Sequence, residues 1–313
     1  MADGANVKVW YVAEVTRGVT PASPVWKQLR VKSIGLGGKK DGLISEELTG
    51  DRQIASYDNT TRRCEGPIST YLFYGSNDDI LQAAFMGTWA LNTPSVGIDQ
   101  LKTGATRRYF SIMIHYTDLL TADKPFHIFT GVEFTGMNIS TDPQSYVTLD
   151  FNTLGLDFAA PATTAPASST YGSLSTTKPM RAVSGTIKEG GVTTAAITEF
   201  SPSLDNGVSL QFAIGSATAV ESSVGNSNSS GQVVSFFKNA TLFDKFRNDT
   251  ASSLEITCLD DLGNSLRIVQ PRIVYTGADL PTSGQGQILI TLPYQAVKDG
   301  TTSTNIYIER DPV

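Results

Sequence analysis

Apolar and polar side chains alternate with a period of two along most of this chain, the pattern of strands with one buried and one solvated face. Residues 7–16 (VKVWYVAEVT) and 27–34 read as strands separated by the turn-rich RGVTPASP. Strand character returns at residues 64–74 and 109–116 (YFSIMIHY), then in two long runs at 126–140 and 146–155. Residues 76–86 (SNDDILQAAFM) break the alternation and predict a short helix. Ser76 or Asn77 can cap it, Asp78 and Asp79 suit the positive end of its dipole, and Ile80, Leu81, Ala84 and Phe85 form one apolar stripe. The second half predicts strands near 183–188, 208–215, 233–237, 254–259, 266–275 and 288–293, a helix around 241–248, and a last strand at NIYIE, residues 305–309.

The two halves look like copies of one unit. Residues 128–151 (IFTGVEFTGMNISTDPQSYVTLDF) align without a gap on residues 269–292 (VQPRIVYTGADLPTSGQGQILITL), 141 positions on. Val132 falls on Ile273, Phe134 on Tyr275, Thr135-Gly136 on Thr276-Gly277, Ile139 on Leu280, Val147 on Ile288, Leu149 on Ile290 and Phe151 on Leu292. A repeat this much longer than a solenoid unit predicts two tandem β domains, each with its own core. Their expected bounds are 1–158 and 180–313. Between them lies the Pro/Ala/Ser/Thr-rich stretch 159–179, which reads as a semi-extended linker rather than a packed element.

Residues 35–57 (GLGGKKDGLISEELTGDRQIASY) fit neither period. They are glycine-rich, carry both signs of charge, and read as a long loop. Net charge is −6, shared evenly at −3 per half, so no basic face marks a dedicated nucleic-acid binder. MADGANVKVW shows no secretory pattern, no stretch has the apolar length of a membrane span, and the five Asn-x-Ser/Thr sequons read as composition. Cys64 and Cys258 are far apart and read as free thiols of a reducing compartment.

Candidate chemistry is sparse. His115 and His127 have no Cys, Asp or Glu at metal spacing, and no G-x-S-x-G elbow supplies a nucleophile. Gly35-Leu-Gly37-Gly38-Lys39-Lys40 matches neither the phosphate-loop nor the dinucleotide spacing. Arg62-Arg63, Arg107-Arg108, Glu46-Glu47 and Asp78-Asp79 read as solvated pairs or, for the last, a helix start. No enzyme, metal or cofactor is expected.

The order of motifs nonetheless carries a resemblance. Residues 45–89 (SEELTGDRQIASYDNTTRRCEGPISTYLFYGSNDDILQAAFMGTW) resemble the signature region of the tail tube, or major tail, proteins of long-tailed non-contractile bacteriophages, the siphophages. The shared features are an acidic loop with Glu46, Glu47 and Arg52, a strand preceded by Gly66, and the Asp78–Ala84 helix. YFSIMIHY, FHIFTGVEFTGMNIS and YVTLDFNTLG are similar to the later strands, and FFKNATLFDKFRN and LEITCLDDLGNSLRIVQPRIVYTGADLPTSGQGQILITLPYQAV to a duplicated second copy. The second copy's loop, residues 216–230, lacks the charges of the first.

The resemblance implies a mainly β fold: two tandem tail-tube-type sandwich or partial-barrel domains, each with one short flanking helix, the first with a long inter-ring loop. It implies a virion protein, made in the host cytoplasm, that self-assembles into stacked rings forming the conduit for DNA delivery. Three chains would make a pseudo-hexameric ring. Expected partners are further copies, the tape measure protein and transiting double-stranded DNA in the lumen, and tail terminator and distal tail proteins at the ends.

Alternation places Val132, Phe134, Val147, Leu149 and Phe151 toward the core, leaving Glu133, Thr135, Thr148, Asp150 and Asn152 to face the lumen, where acidic and small polar groups repel phosphates. The second copy offers Arg272, Val274, Thr276, Leu289 and Thr291 there. The expected inter-ring contacts are Lys39, Lys40, Glu46, Glu47, Asp51 and Arg52 for ion pairs, with Leu43, Ile44 and Leu48 as apolar anchors. The alternative is a tandem β-domain adhesin or baseplate protein that recognises the host.

Overall fold

Because alternate side chains meet different surroundings, the apolar ones gather between the sheets, and the expected separate cores are instead one buried cluster running from Val9 through both halves to Ile308. The computed structural model describes residues 2–48, 50–282 and 286–312. Before helix α1 (Asp78–Ala84) come β1 (Val7–Ala13), β2 (Val25–Leu29), β3 (Val31–Ile34), β4 (Gly37–Ile44) and β5 (Tyr57–Tyr71). After it follow β6 (Asp99–Lys102), β7 (Phe110–Tyr116), β8 (Phe126–Ser140), β9 (Thr148–Gly155), β10 (Asp157–Phe158) and β11 (Thr170–Tyr171). The second half opens with β12 (Arg181–Glu189), β13 (Val192–Thr193), β14 (Ile197–Asp205), β15 (Ser209–Gln211), β16 (Glu221–Ser223) and β17 (Asn228–Phe236). Helix α2 (Thr241–Arg247) then leads to β18 (Ser252–Leu259), β19 (Ser265–Tyr275), β20 (Leu289–Ala296) and β21 (Tyr307–Asp311). The protein is thus mainly β, with two α-helices among the described residues, as expected.

Strand β8 joins the two sheets of the first half. Its first part pairs with β7 in an outer sheet ordered β2–β1–β7–β8; its second part pairs with β9 in an inner sheet that continues to β5 and then β3 and β4. Between the sheets Phe110, Phe134 and Phe151 meet edge-on at 5.6 and 5.5 Å, all fully or nearly fully buried. Helix α1 covers one end of this core. Ile80, Leu81, Ala84 and Phe85 are all buried, and its N-cap Asn77 accepts the Phe73 amide at 2.6 Å through its side chain.

The inner sheet does not stop at β8. Strand β14 lies antiparallel beside it, with Ser203 opposite Asn138, Leu204 opposite Met137 and Asp205 opposite Gly136. A Cβ on Gly136 would lie 2.3 Å from the Leu204 carbonyl oxygen, so only glycine lets the strand approach this closely. Beyond β14 the sheet continues to β17, β20 and the end of β19. The outer sheets interlock too. Strand β6 adds to β21, extending the order β12–β18–β19–β21. At that seam Gln100 Nε2 donates to Glu309 Oε1 at 2.7 Å, Arg267 pairs with Glu309, and Arg310 binds Asp78 and Asp99 with its guanidinium 4.5 Å from the Trp89 ring.

Registers recur at the 141-residue offset. Glu133↔Leu154 and Phe134↔Thr153 in β8–β9 become Val274↔Gln295 and Tyr275↔Tyr294 in β19–β20. The one-residue shift that follows in the first pair is also matched, since Asn138↔Asp150 becomes Asp279↔Thr291.

Residues 159–179 are more closely docked than their composition predicts. Strand β11 runs parallel to β2, Trp26 Nε1 donates to Ser169 Oγ at 3.0 Å, and the Tyr171 ring meets Trp10 edge-on at 4.7 Å. The small Ala165 packs against the cluster of Trp10, Trp26 and Met113. Indole rings on the back of the outer sheet supply the apolar surface that the segment itself lacks.

Candidate functional site

The inner sheet presents one face to the core and one away from it. Directly opposed residues on neighbouring antiparallel strands share a face, so the registers can be read straight across. One row runs Ser69–Asp150–Asn138–Ser203–Ser230–Gln295 over β5, β9, β8, β14, β17 and β20. The next runs Pro67–Asn152–Gly136–Asp205–Asn228. Thr148, Ser140, Ser201 and Gln232 lie one step to the other side. On the parts of β9, β8, β14, β17 and β20 that form this face the charged side chains are Asp150, Glu199 and Asp205, and no lysine or arginine interrupts them. Among the described residues, cations stand at its margins. Lys39 and Arg63 face each other across β4 and β5, and exposed Arg272 lies at the far end.

Of the residues expected to share this face, Thr148, Asp150 and Asn152 do so, exposed or half-exposed. Val132, Phe134, Val147, Leu149 and Phe151 are buried on the other side. Thr135 sits in the bulge between Phe134 and Gly136, its hydroxyl donating to the Asn152 carbonyl at 3.2 Å.

Glu133 does not belong to the open face. It is 3% exposed, bound by Arg107 through two nitrogens, by Arg17 at 2.7 Å and by the Ser222 hydroxyl at 2.5 Å. Opposite Leu154 it has the expected orientation, but the β15–β16 hairpin, brought from the other half of the chain, covers it. Local alternation cannot reveal a lid of that kind. In the second half Thr276 and Arg272 are exposed, whereas Val274, Leu289 and Thr291 are half-buried.

The expected loop 35–57 is largely a β-arm. Strand β4 pairs with the extended start of β5 from Gly37↔Glu65 to Ile44↔Tyr57. Both faces of the arm are solvated for most of its length, so its side chains show no alternation; the sequence signal for a strand is absent. Asp41 accepts from Arg63 at 2.6 Å and from Thr61 at 2.5 Å, and the Arg63 guanidinium holds its carboxyl below the usual range. Lys39 and Lys40 are exposed on opposite faces of β4.

At the tip, Leu43, Ile44, Leu48, Ile54 and Tyr57 are all more than half exposed, with Glu46, Glu47 and Arg52 among them. Asp51 accepts the Gln53 amide at 3.0 Å. Ile54 and Tyr57 extend the expected apolar set, and the pairing of Tyr57 with Ile44 explains why they join it. So many large apolar side chains on one projecting tip form a surface suited to a partner.

The other chemistry-bearing residues are dispersed. His115 stacks on Phe126 at 4.2 Å and His127 meets Tyr116 edge-on at 5.1 Å; burial lowers the pKa of both. Cys64 and Cys258 are buried in different halves, and burial pushes both thiols up to about 12.

The described residues thus present a continuous polar face bordered by a projecting arm, and comparison with known families places the chain. A family described as "Phage tail tube protein" matches residues 4–296. The chain belongs to this phage tail tube family. No individually curated protein matches it. The tail tube match spans both halves and all strands from β1 to β20, so the polar face and the arm lie wholly within it.

Proposed function

We propose that this tail tube protein forms the wall of a siphophage tail by closing into rings that stack into a hollow tube. Three chains, each supplying two tandem units (1–158 and 180–313, joined by 159–179), make a pseudo-sixfold ring. The observation that carries this reading is the β8–β14 pairing, which fuses the inner sheets of the two halves into one sheet with a single polar face. Two units meeting edge to edge within a chain supply the pattern for meeting between chains, and a closed circle leaves no free sheet edge. Recurrence of registers 141 residues apart supports the two-unit organisation.

The lumen is lined by Asn138, Asp150, Asn152, Ser203, Asp205 and Ser230. Asp150, Glu199 and Asp205 repel the phosphates of transiting double-stranded DNA, and the neutral hydroxyls and amides between them offer no cation to hold it. The β4–β5 arm reaches the adjacent ring. Its exposed ion pairs contribute about 0–1 kcal/mol each, so its apolar tip supplies most of the contact. The protein acts in the virion with the tape measure protein inside the tube and terminator and distal tail proteins at its ends. It needs no cofactor and performs no catalysis.

Negative-stain microscopy of the purified chain tests this. Tubes of uniform width with three-fold averaged density are the expected result. A protein that stays a monomer or compact trimer at every concentration points instead to an adhesin.

A further inference from the structure

We infer which two edges meet between chains, and in what register: residues 37–39 of β4 in one copy pair antiparallel with residues 277–279 of the next, Gly37 opposite Asp279, Gly38 opposite Ala278 and Lys39 opposite Gly277. This rests on the ring reading above and specifies its seam.

The seam already made inside the chain provides the template. Asp279 exchanges two backbone hydrogen bonds with Thr291, both 2.9 Å, so Ala278 and Leu280 turn their amides and carbonyls to the opposite edge. Among the described residues no strand pairs with that edge. Its counterpart 141 residues earlier is the edge of β8 on which β14 lies, with Met137 in the place of Ala278.

The donor side is fixed in the same way. Val234 of β17 lies opposite Thr291 where Ser69 of β5 lies opposite Asp150, and Thr291 follows Asp150 by the same 141 residues. Strand β17 therefore takes the place of β5. Their outer neighbours correspond in turn: Glu199↔Val234, Ser203↔Ser230 and Asp205↔Asn228 match Ser33↔Ser69, Gly37↔Glu65 and Lys39↔Arg63. Gly37, Gly38 and Lys39 thus stand where Ser203, Leu204 and Asp205 stand. The outer edge of β3 and β4 is likewise unpaired among the described residues.

Gly277 gives independent support. Gly136 must be glycine because β14 presses on it. Its aligned partner Gly277 has no strand beside it on the corresponding edge, and a Cβ there would touch only the ring of Pro293 in β20, at 3.0 Å. A strand from outside would restore the constraint. Charge agrees too, since Lys39 becomes the diagonal neighbour of exposed Asp279 across the seam.

A cysteine pair tests the register. In the template Ser203 and Asn138 flank the Leu204–Met137 position whose backbone groups face each other, so the equivalent Gly37–Asp279 is a non-hydrogen-bonded pair with Cα atoms about 4.5 Å apart, within disulfide range. A Cβ on Gly37 comes no nearer than 3.9 Å to any atom, and the native thiols are buried. Mild oxidation of assembled G37C/D279C is expected to give a ladder of linked chains on non-reducing gels, with G37C and D279C alone giving none.

Tubes that form without interchain linkage would overturn this seam while leaving the ring reading intact; failure of the unmodified chain to form tubes or rings would overturn the ring reading itself. As a second measure, Gly277→Ala is expected to keep its circular dichroism and a cooperative thermal transition yet lose tube formation at least tenfold. Normal tubes from it would also overturn the assignment.

Discussion

At the scale of single residues, Glu133 shows how a charge expected in the open becomes structural. Its carboxylate is enclosed by Arg17, Arg107 and Ser222, linking β8 to the β15–β16 hairpin. Removing Arg107 leaves a buried acid with one cation. Arg107→Ala is therefore expected to cost about 1–3 kcal/mol, read as a lower midpoint in urea unfolding. Phe134 stands between Phe110 and Phe151 with no solvent contact, and Phe134→Ala is expected to cost ~3–5 kcal/mol. The histidines set a pH trend. Burial lowers both folded pKa values, so the unfolded chain binds more protons just below the ordinary histidine value. Stability attributable to them is thus present above about pH 6.5 and falls as the pH drops below it. Urea midpoints at pH 7.5 and 5.5, compared with those of a His115→Phe/His127→Phe variant, check this; the variant is expected to lose less on acidification.

At the scale of elements, legibility followed the contrast between faces. Strands β8, β9 and β20 each have a buried side, and their alternation marks them plainly; α1 declares itself by its apolar stripe. Strand β4 has no buried face, so GGKKDGLI carries no period and reads as a loop. The packing of residues 159–179 depends on Trp10 and Trp26, more than 130 positions away, and no local pattern encodes it. The arm yields its own prediction. Ile44 and Tyr57 are directly opposed, so residues 45–56 can be replaced by Asn-Gly, a two-residue hairpin turn, without disturbing β4 or β5. The trimmed chain is expected to fold and to close into single rings that do not stack, seen as isolated annuli by electron microscopy.

At the scale of the whole molecule, the polar face emerges only when β14 is laid beside β8, a pairing between residues some 65 positions apart that neither half announces. The sequence could identify Thr148, Asp150 and Asn152, which share a strand, but not Ser203, Asp205 and Ser230, which complete the surface from the other half. Replacing Asp150 and Asp205 by lysine is expected to leave assembly intact, since both side chains point away from the core, while slowing DNA ejection. Infectivity of virions carrying the double variant measures it.

The internal β8–β14 junction also bears on how quickly such a structure can start. Two partners tethered by a short covalent connection meet at a high local concentration, independent of how dilute the protein is. In the three-chain ring proposed above, every second joint is completed as each polypeptide folds, so the first annulus would need an encounter of three bodies rather than six. Nucleation should therefore depend on dilution far less steeply than it would for an unlinked subunit, letting a newly infected cell begin building while the protein is still scarce.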